Sequence, residues 1–186
     1  MFFSKLNLKE AKYLTIIFSL LFIAFIISKT NEDYAYYHLP NALQFAQQKL
    51  QFGLGNINHG FKHISSLFML MSLNYLPFVE HYFFNLTNFC FLVFFVYFIY
   101  KEIYYRSKNN HNISLILLAL FLILILVKFS RIAEYGADIA GQIIIAIYVF
   151  YNFELIFNNK LNYQNKILFI KISLFLLIFA ISTKFI

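Results

Sequence analysis

The chain has 186 residues, of which 61% are hydrophobic and 12% charged, and its mean hydropathy is +0.70. The apolar residues come in blocks too long and too free of charge to be helices of a soluble core, so the chain is read as an integral membrane protein. Its net charge of +7 is accounted for by basic loops between spans, which leaves a nucleic-acid partner without support, and the single cysteine, Cys90, excludes a disulfide or a cysteine-based metal site.

Twenty-six Phe and no Trp, with abundant Ile, Asn, Lys and Tyr, point to an AT-biased genome, so individual phenylalanines carry little information. Blocks of about 17–25 apolar residues are expected to cross a bilayer. Five such blocks fall near 13–28, 79–100, 113–130, 133–153 and 167–183, which predicts an all-α polytopic fold in one membrane domain, 1–186. The first block lacks an A-x-A cleavage site and is taken as a retained helix.

Basic residues set the expected orientation. Lys5, Lys9 and Lys12, then Lys101, Arg106 and Lys108, then Lys160 and Lys166 fall in alternate short segments, which places the N-terminus in the cytoplasm of a bacterial inner membrane. The loop at 29–78 is then extracytoplasmic. Pro40 suits a first helical position, and Leu39, Leu43, Ala46 and Leu50 recur at helical spacing, so 39–52 is predicted as a helix along the membrane surface, stopped by Gly53. Ile64 to Leu76 is too short to cross and reads as a second interfacial or re-entrant helix.

Two places carry chemistry. Just past the first span stand Glu32, Asp33, Tyr37 and His38, two adjacent carboxylates followed by groups able to bind a head group. In the fourth span Glu134, Asp138 and Gln142 recur every four residues, with Arg131 one turn earlier, and are expected to face the bundle because ionisable groups in a bilayer need partners or a polar cavity. Ala137 and Gly141 would let a neighbouring helix approach. His59 and His63, four apart, could ligate a divalent metal, although a pair at that spacing without a Glu-x-x-His context is more often interfacial. The sequons at Asn85 and Asn112 are discounted, the first for lying beside a span and the second for a cytoplasmic position.

The string Asp33-Tyr34-Ala35-Tyr36-Tyr37-His38-Leu39-Pro40, followed by Gly53-Leu54-Gly55-Asn56-Ile57-Asn58-His59, resembles bacterial membrane proteins related to the GT-C-type glycosyltransferases, and the chain looks like the N-terminal part of such an enzyme. The resemblance implies transfer of a sugar from a polyprenyl-phosphate carrier in the lipid bilayer to an extracytoplasmic acceptor. It maps the loop carboxylate onto Asp33, with Glu32 as the lesser candidate, and a later acidic position onto Glu134 or Asp138. Asp33 would be the base or a metal ligand beside the acceptor hydroxyl, and Arg131, Lys62, His63 and Lys184 are candidates to bind the lipid phosphate, with Tyr37, His38 and His59 beside them. Such enzymes are longer, so a further subunit or C-terminal part is expected to complete the site. Two other classes stay open: an ion- or proton-coupled carrier lined by Glu134, Asp138 and Gln142, and a non-catalytic assembly partner.

Overall fold

The computed structural model describes residues 8–26, 33–49, 53–57, 59–62, 65–108, 112–127, 138–158 and 161–184. Among the described residues seven α-helices follow one another: α1 Leu8–Ile26, α2 Leu39–Gln47, α3 Ser66–Ser72, α4 Leu86–Lys108, α5 Asn112–Val127, α6 Asp138–Phe157 and α7 Tyr163–Lys184. Among the described residues there is no strand, only one isolated bridge between Leu76 and Glu80. The fold is all-α, as the periodicity requires.

Among the described residues three stretches are long and apolar enough to cross a membrane: His81–Ser107, Ile139–Phe157 and Tyr163–Thr183. The apolar stretch Ile113–Leu124 within α5 is shorter, and α1 carries Lys9, Glu10 and Lys12 in its first turns. The chain is therefore a helical protein suited to a membrane.

The long helices alternate in direction. Lys101 of α4 pairs with Glu10 of α1 at 2.9 Å, while Phe18 and Phe22 meet Phe89 edge-on at 5.1 and 6.0 Å, so α1 and α4 run antiparallel. Phe95 of α4 meets Phe121 of α5 at a tilt of 43° with ring centres 6.1 Å apart, and Phe98 meets Phe150 of α6 edge-on at 5.3 Å. On α7, Ser173 accepts from Asn152 of α6 at 2.6 Å. A Cβ at Gly141 would lie 3.4 Å from Thr183 Oγ1, so this glycine admits the close approach of α7 that its spacing predicted. Leu92, Phe95, Phe98, Ile99, Leu118, Ile143 and Phe150 form the apolar centre of the bundle.

One end of the bundle carries the segment 33–83 and is called the loop end. Here α2 and α3 pack together over Ala42, Leu67, Phe68, Met71, Phe84 and Ala140, the last from the start of α6. Ser65 caps α3 by accepting from the Leu67 amide at 3.2 Å, donates its own hydroxyl to the Thr183 carbonyl, and so ties the cap to the end of α7. Leu39, Leu43 and Ala46 face this cluster, as their spacing predicted. The helix is shorter than expected, though: Gln48 is extended, and α2 ends at Gln47 rather than near residue 52. Gly53, at φ +87°, does not stop α2 but opens a separate turn at Leu54–Asn56, a left-handed position that suits glycine.

The helix boundaries differ from the apolar blocks for a physical reason. The block 79–100 becomes α4 Leu86–Lys108, because residues 76–85 fold as tight turns while the charged residues beyond 100 stay helical. Hydropathy stops at Lys101, but Glu102 and Arg106 remain inside because they pair, as described below.

Candidate functional site

The motif from Asp33 to Pro40 takes an unusual backbone. In an α-helix the Pro40 ring would clash with the Tyr36 carbonyl and leave it without a donor. The chain instead widens into a π-helical turn, Tyr34–His38, in which the Leu39 amide donates to the Tyr34 carbonyl five residues back. The wide turn puts Tyr34 and His38 both inside, while Asp33 at its start is exposed. Such turns recur at functional sites.

Several expected residues meet here. Tyr37 Oη donates to Asp33 Oδ2 over a long 3.4 Å, and the Tyr37 and His38 rings meet edge-on at 4.3 Å, with His38 against Phe68 at 5.3 Å. Buried Asn41 donates one amide group to both the Tyr37 carbonyl at 2.7 Å and the Gly60 carbonyl at 3.2 Å. That second bond fastens the His59–Lys62 turn against the Asp33 turn. His59 and Lys62 are exposed on it, and the Lys62 stem crosses Gly55, where a Cβ would lie 2.9 Å from Lys62 Cγ. The loop end therefore offers an exposed carboxylate and exposed basic groups on two joined turns. With a phosphate and a hydroxyl as ligands, such a pair can bind the first and deprotonate the second.

Glu32, His63, Arg131 and Glu134 lie outside the described residues, as do the side chains of Asp138 and Lys184. Ala140 brings the start of α6, and so the backbone of Asp138, beside α2 and α3. The inward face expected for Glu134, Asp138 and Gln142 is corrected at Gln142, which is exposed. At 3.6 residues per turn the face of α6 that enters the bundle is Ala140, Ile143, Ile144 and Phe150 instead. Among the described residues no group of three His, Cys, Asp or Glu stands close enough to hold a metal.

The opposite end holds a charged cluster that sequence reasoning missed. Arg106 is 4% exposed and Glu154 is 1% exposed. The Arg106 guanidinium donates through Nε to Glu102 Oε2 at 3.1 Å and through Nη1 to Glu154 Oε2, and it lies 5.2 Å from the centre of the Phe150 ring. Ser114 of α5 donates to the other oxygen of Glu154, Oε1, and Asn158 Nδ2 donates from one turn on to Oε2 at 2.9 Å. Three helices are thus joined by one network. The readable signals were the i, i+4 pairs Glu102/Arg106 and Glu154/Asn158 at the ends of apolar blocks.

Phe95, Phe98, Leu118, Ile143 and Phe150 lie between the two polar ends. Asn85 is buried at the start of α4, which agrees with discounting its sequon. No curated protein and no solved structure matches the chain. A family model does match, over residues 1–186, and by that match the chain belongs to the family described as domain of unknown function DUF8201.

Proposed function

We propose that this protein binds a lipid-linked anionic substrate at the loop end and takes part in GT-C-like transfer of a sugar from a polyprenyl-phosphate carrier to an extracytoplasmic acceptor. Five crossings, α1 and α4 to α7, with the N-terminus in the cytoplasm of a bacterial inner membrane, put the loop end outside. The observation that carries the reading is the Asn41 bond to Gly60, which joins the turn bearing Asp33 and Tyr37 to the turn bearing His59 and Lys62. Asp33 would accept the proton of the acceptor hydroxyl, and Lys62 would hold the carrier phosphate as its charge develops. The resemblance at Asp33 to Pro40 supplies the reaction class, and a second membrane subunit or a C-terminal part would complete the site.

The carrier reading gains less support, because an apolar layer of phenylalanines separates the two polar ends among the described residues. The test is transfer of labelled sugar from polyprenyl-phosphate donors in membranes containing the whole complex. Asp33→Asn should lower the rate about 10²–10⁴-fold, the usual contribution of a general base, with insertion unchanged. Glu32→Gln should be mild, since adjacent side chains point in different directions. Equal activity in wild type and both variants would remove the enzyme reading and leave the assembly-partner one.

A further inference from the structure

A second feature of the loop end lies between α3 and α4. There the chain makes a tight reversal at Leu76-Pro77-Phe78-Val79-Glu80, closed by the Val79 and Glu80 amides donating to the Leu76 carbonyl at 3.1 and 2.7 Å. Phe78 at its tip is 99% exposed, and Leu73 and Tyr82 on either side are 77% and 64% exposed. Met69, Leu76 and Phe83 add further exposed apolar surface. No charged residue occurs from Ile64 to Val79. Immediately behind the tip, Glu80 and His81 form a polar collar.

This apolar tip is held rigidly. Asn74 Nδ2 donates to Thr87 Oγ1 in the first turn of α4 at 2.8 Å, and Tyr75 Oη accepts from Gln47 of α2 at 2.6 Å. The buried Phe84 side chain roots the turn from below. Glu80 itself sits at φ +51° and ψ −127°, a backbone state that a residue with a side chain adopts only where its surroundings enforce it, and such strain gathers at functional positions. A soluble loop would have no reason to fix a phenylalanine in water in this way.

The surface that continues the patch tells what covers it. Beyond Tyr82 and Phe83 the next exposed residues along α4 are Cys90 and Phe94, on a stretch apolar and long enough to cross a membrane. The edge of the hydrocarbon layer therefore lies close to the start of α4, beside the tip. We propose that the Leu73–Phe83 reversal is a wedge inserted in the leaflet at the loop end, with Phe78 among the upper acyl chains and the Glu80–His81 collar at the head groups. Aromatic residues favour that boundary, and the collar limits the depth to the tip. Because Tyr75 and Asn74 tie the wedge to α2 and α4, it fixes α2, and with it the Asp33 turn, at head-group level. That last consequence rests on the proposed function; the insertion does not.

The chain contains no tryptophan, so one substitution gives a clean depth probe. Phe78→Trp protein in phosphatidylcholine and phosphatidylglycerol vesicles should be quenched by lipids brominated high on the acyl chain, more than by those brominated near its end, and shielded from aqueous iodide. Phe94→Trp serves as the reference for a lipid-facing span position, with stronger quenching by deep bromines. Should Phe78→Trp fail to fold, Tyr82→Trp reads the same boundary. Quenching by iodide without quenching by bromolipid would place the tip in water and overturn the proposal. Protection from both would mean a protein partner covers it and would overturn the proposal as well. Neither outcome depends on sugar transfer, so the wedge and the transfer reading fail separately.

Discussion

Removing the Arg106 side chain tests whether the far end of the bundle is the closed ionic joint that its geometry describes. Arg106→Met keeps most of the length and the apolar stem but deletes a guanidinium that is 4% exposed and is shared between Glu102 on its own helix and Glu154 on α6. Two carboxylates would then face one another, with Ser114 and Asn158 as the remaining donors to Glu154 among the described residues. Taking one partner out of a buried pair costs about 3–5 kcal/mol, because the other charge stays behind without compensation. The lost contact with the Phe150 face, at 5.2 Å, adds about 0.5–2 kcal/mol. The sum, about 3.5–7 kcal/mol, is a large share of the stability of an ordinary domain, about 5–15 kcal/mol. Glu154→Gln should be milder, about 1–3 kcal/mol, since the amide oxygen still accepts from Ser114 while Arg106 keeps Glu102. Replacing Glu102, Arg106 and Glu154 together by Leu, Met and Leu should recover most of the loss, as apolar isosteres of buried ion networks often do. Unfolding in mixed dodecyl maltoside and dodecyl sulfate micelles measures all three. An Arg106→Met protein within about 1 kcal/mol of wild type, below the range for a desolvated pair, would show that water or lipid head groups reach the network, and the joint would not exist.

Two further outcomes follow from the same geometry. Reporters fused within residues 31–62 should report an extracytoplasmic position and one at Asn109 a cytoplasmic position, because the basic residues cluster in alternate short segments; the reverse pattern would move the Asp33 turn to the wrong side for a translocated carrier. Asn41→Ala should strand the Gly60 carbonyl at a cost of about 1–3 kcal/mol and speed proteolysis at residues 53–62 while α2 persists, since alanine is the better helix former; unchanged cleavage would mean that the two turns are held by other contacts.

Where the sequence was legible, a single physical demand dominated. A helix able to cross hydrocarbon needs an unbroken apolar run, so the stretch Tyr163–Thr183 contains the block expected at 167–183. Leu39, Leu43 and Ala46 likewise reported their packed face, because amphipathic spacing has one meaning on a short helix beside a core. Boundaries failed where two residues far apart cancel each other's cost. Nothing local to Glu102 or Arg106 announces that Glu154, 48 residues on, will enclose them, so hydropathy ended α4 eight residues early. The π-helical turn was hidden for a related reason. Pro40 reads as a helix start and does stand in the first turn of α2, but its clash with the preceding turn also acts backwards and widens the Asp33 motif.

The placement of charge also separates the two ends by what each can do. At the far end Arg106 and Glu154 are buried among partners, and a group so enclosed cannot meet a substrate without first breaking the joint between α4, α5 and α6. Its role is to hold the helices. At the loop end the ionisable groups are arranged the opposite way: Asp33, His59 and Lys62 are exposed, while the residues beneath them, Tyr34, His38 and Asn41, are buried. An exposed ionisable layer resting on a buried one is the arrangement that the proposed transfer would need, because its base would have to reach the acceptor yet lose little freedom in doing so. The Asn41 bond matters for that reason. It lies in the fixed layer and sets the distance between the carboxylate and the basic turn, so the effect of Asn41→Ala on transfer should exceed its effect on stability.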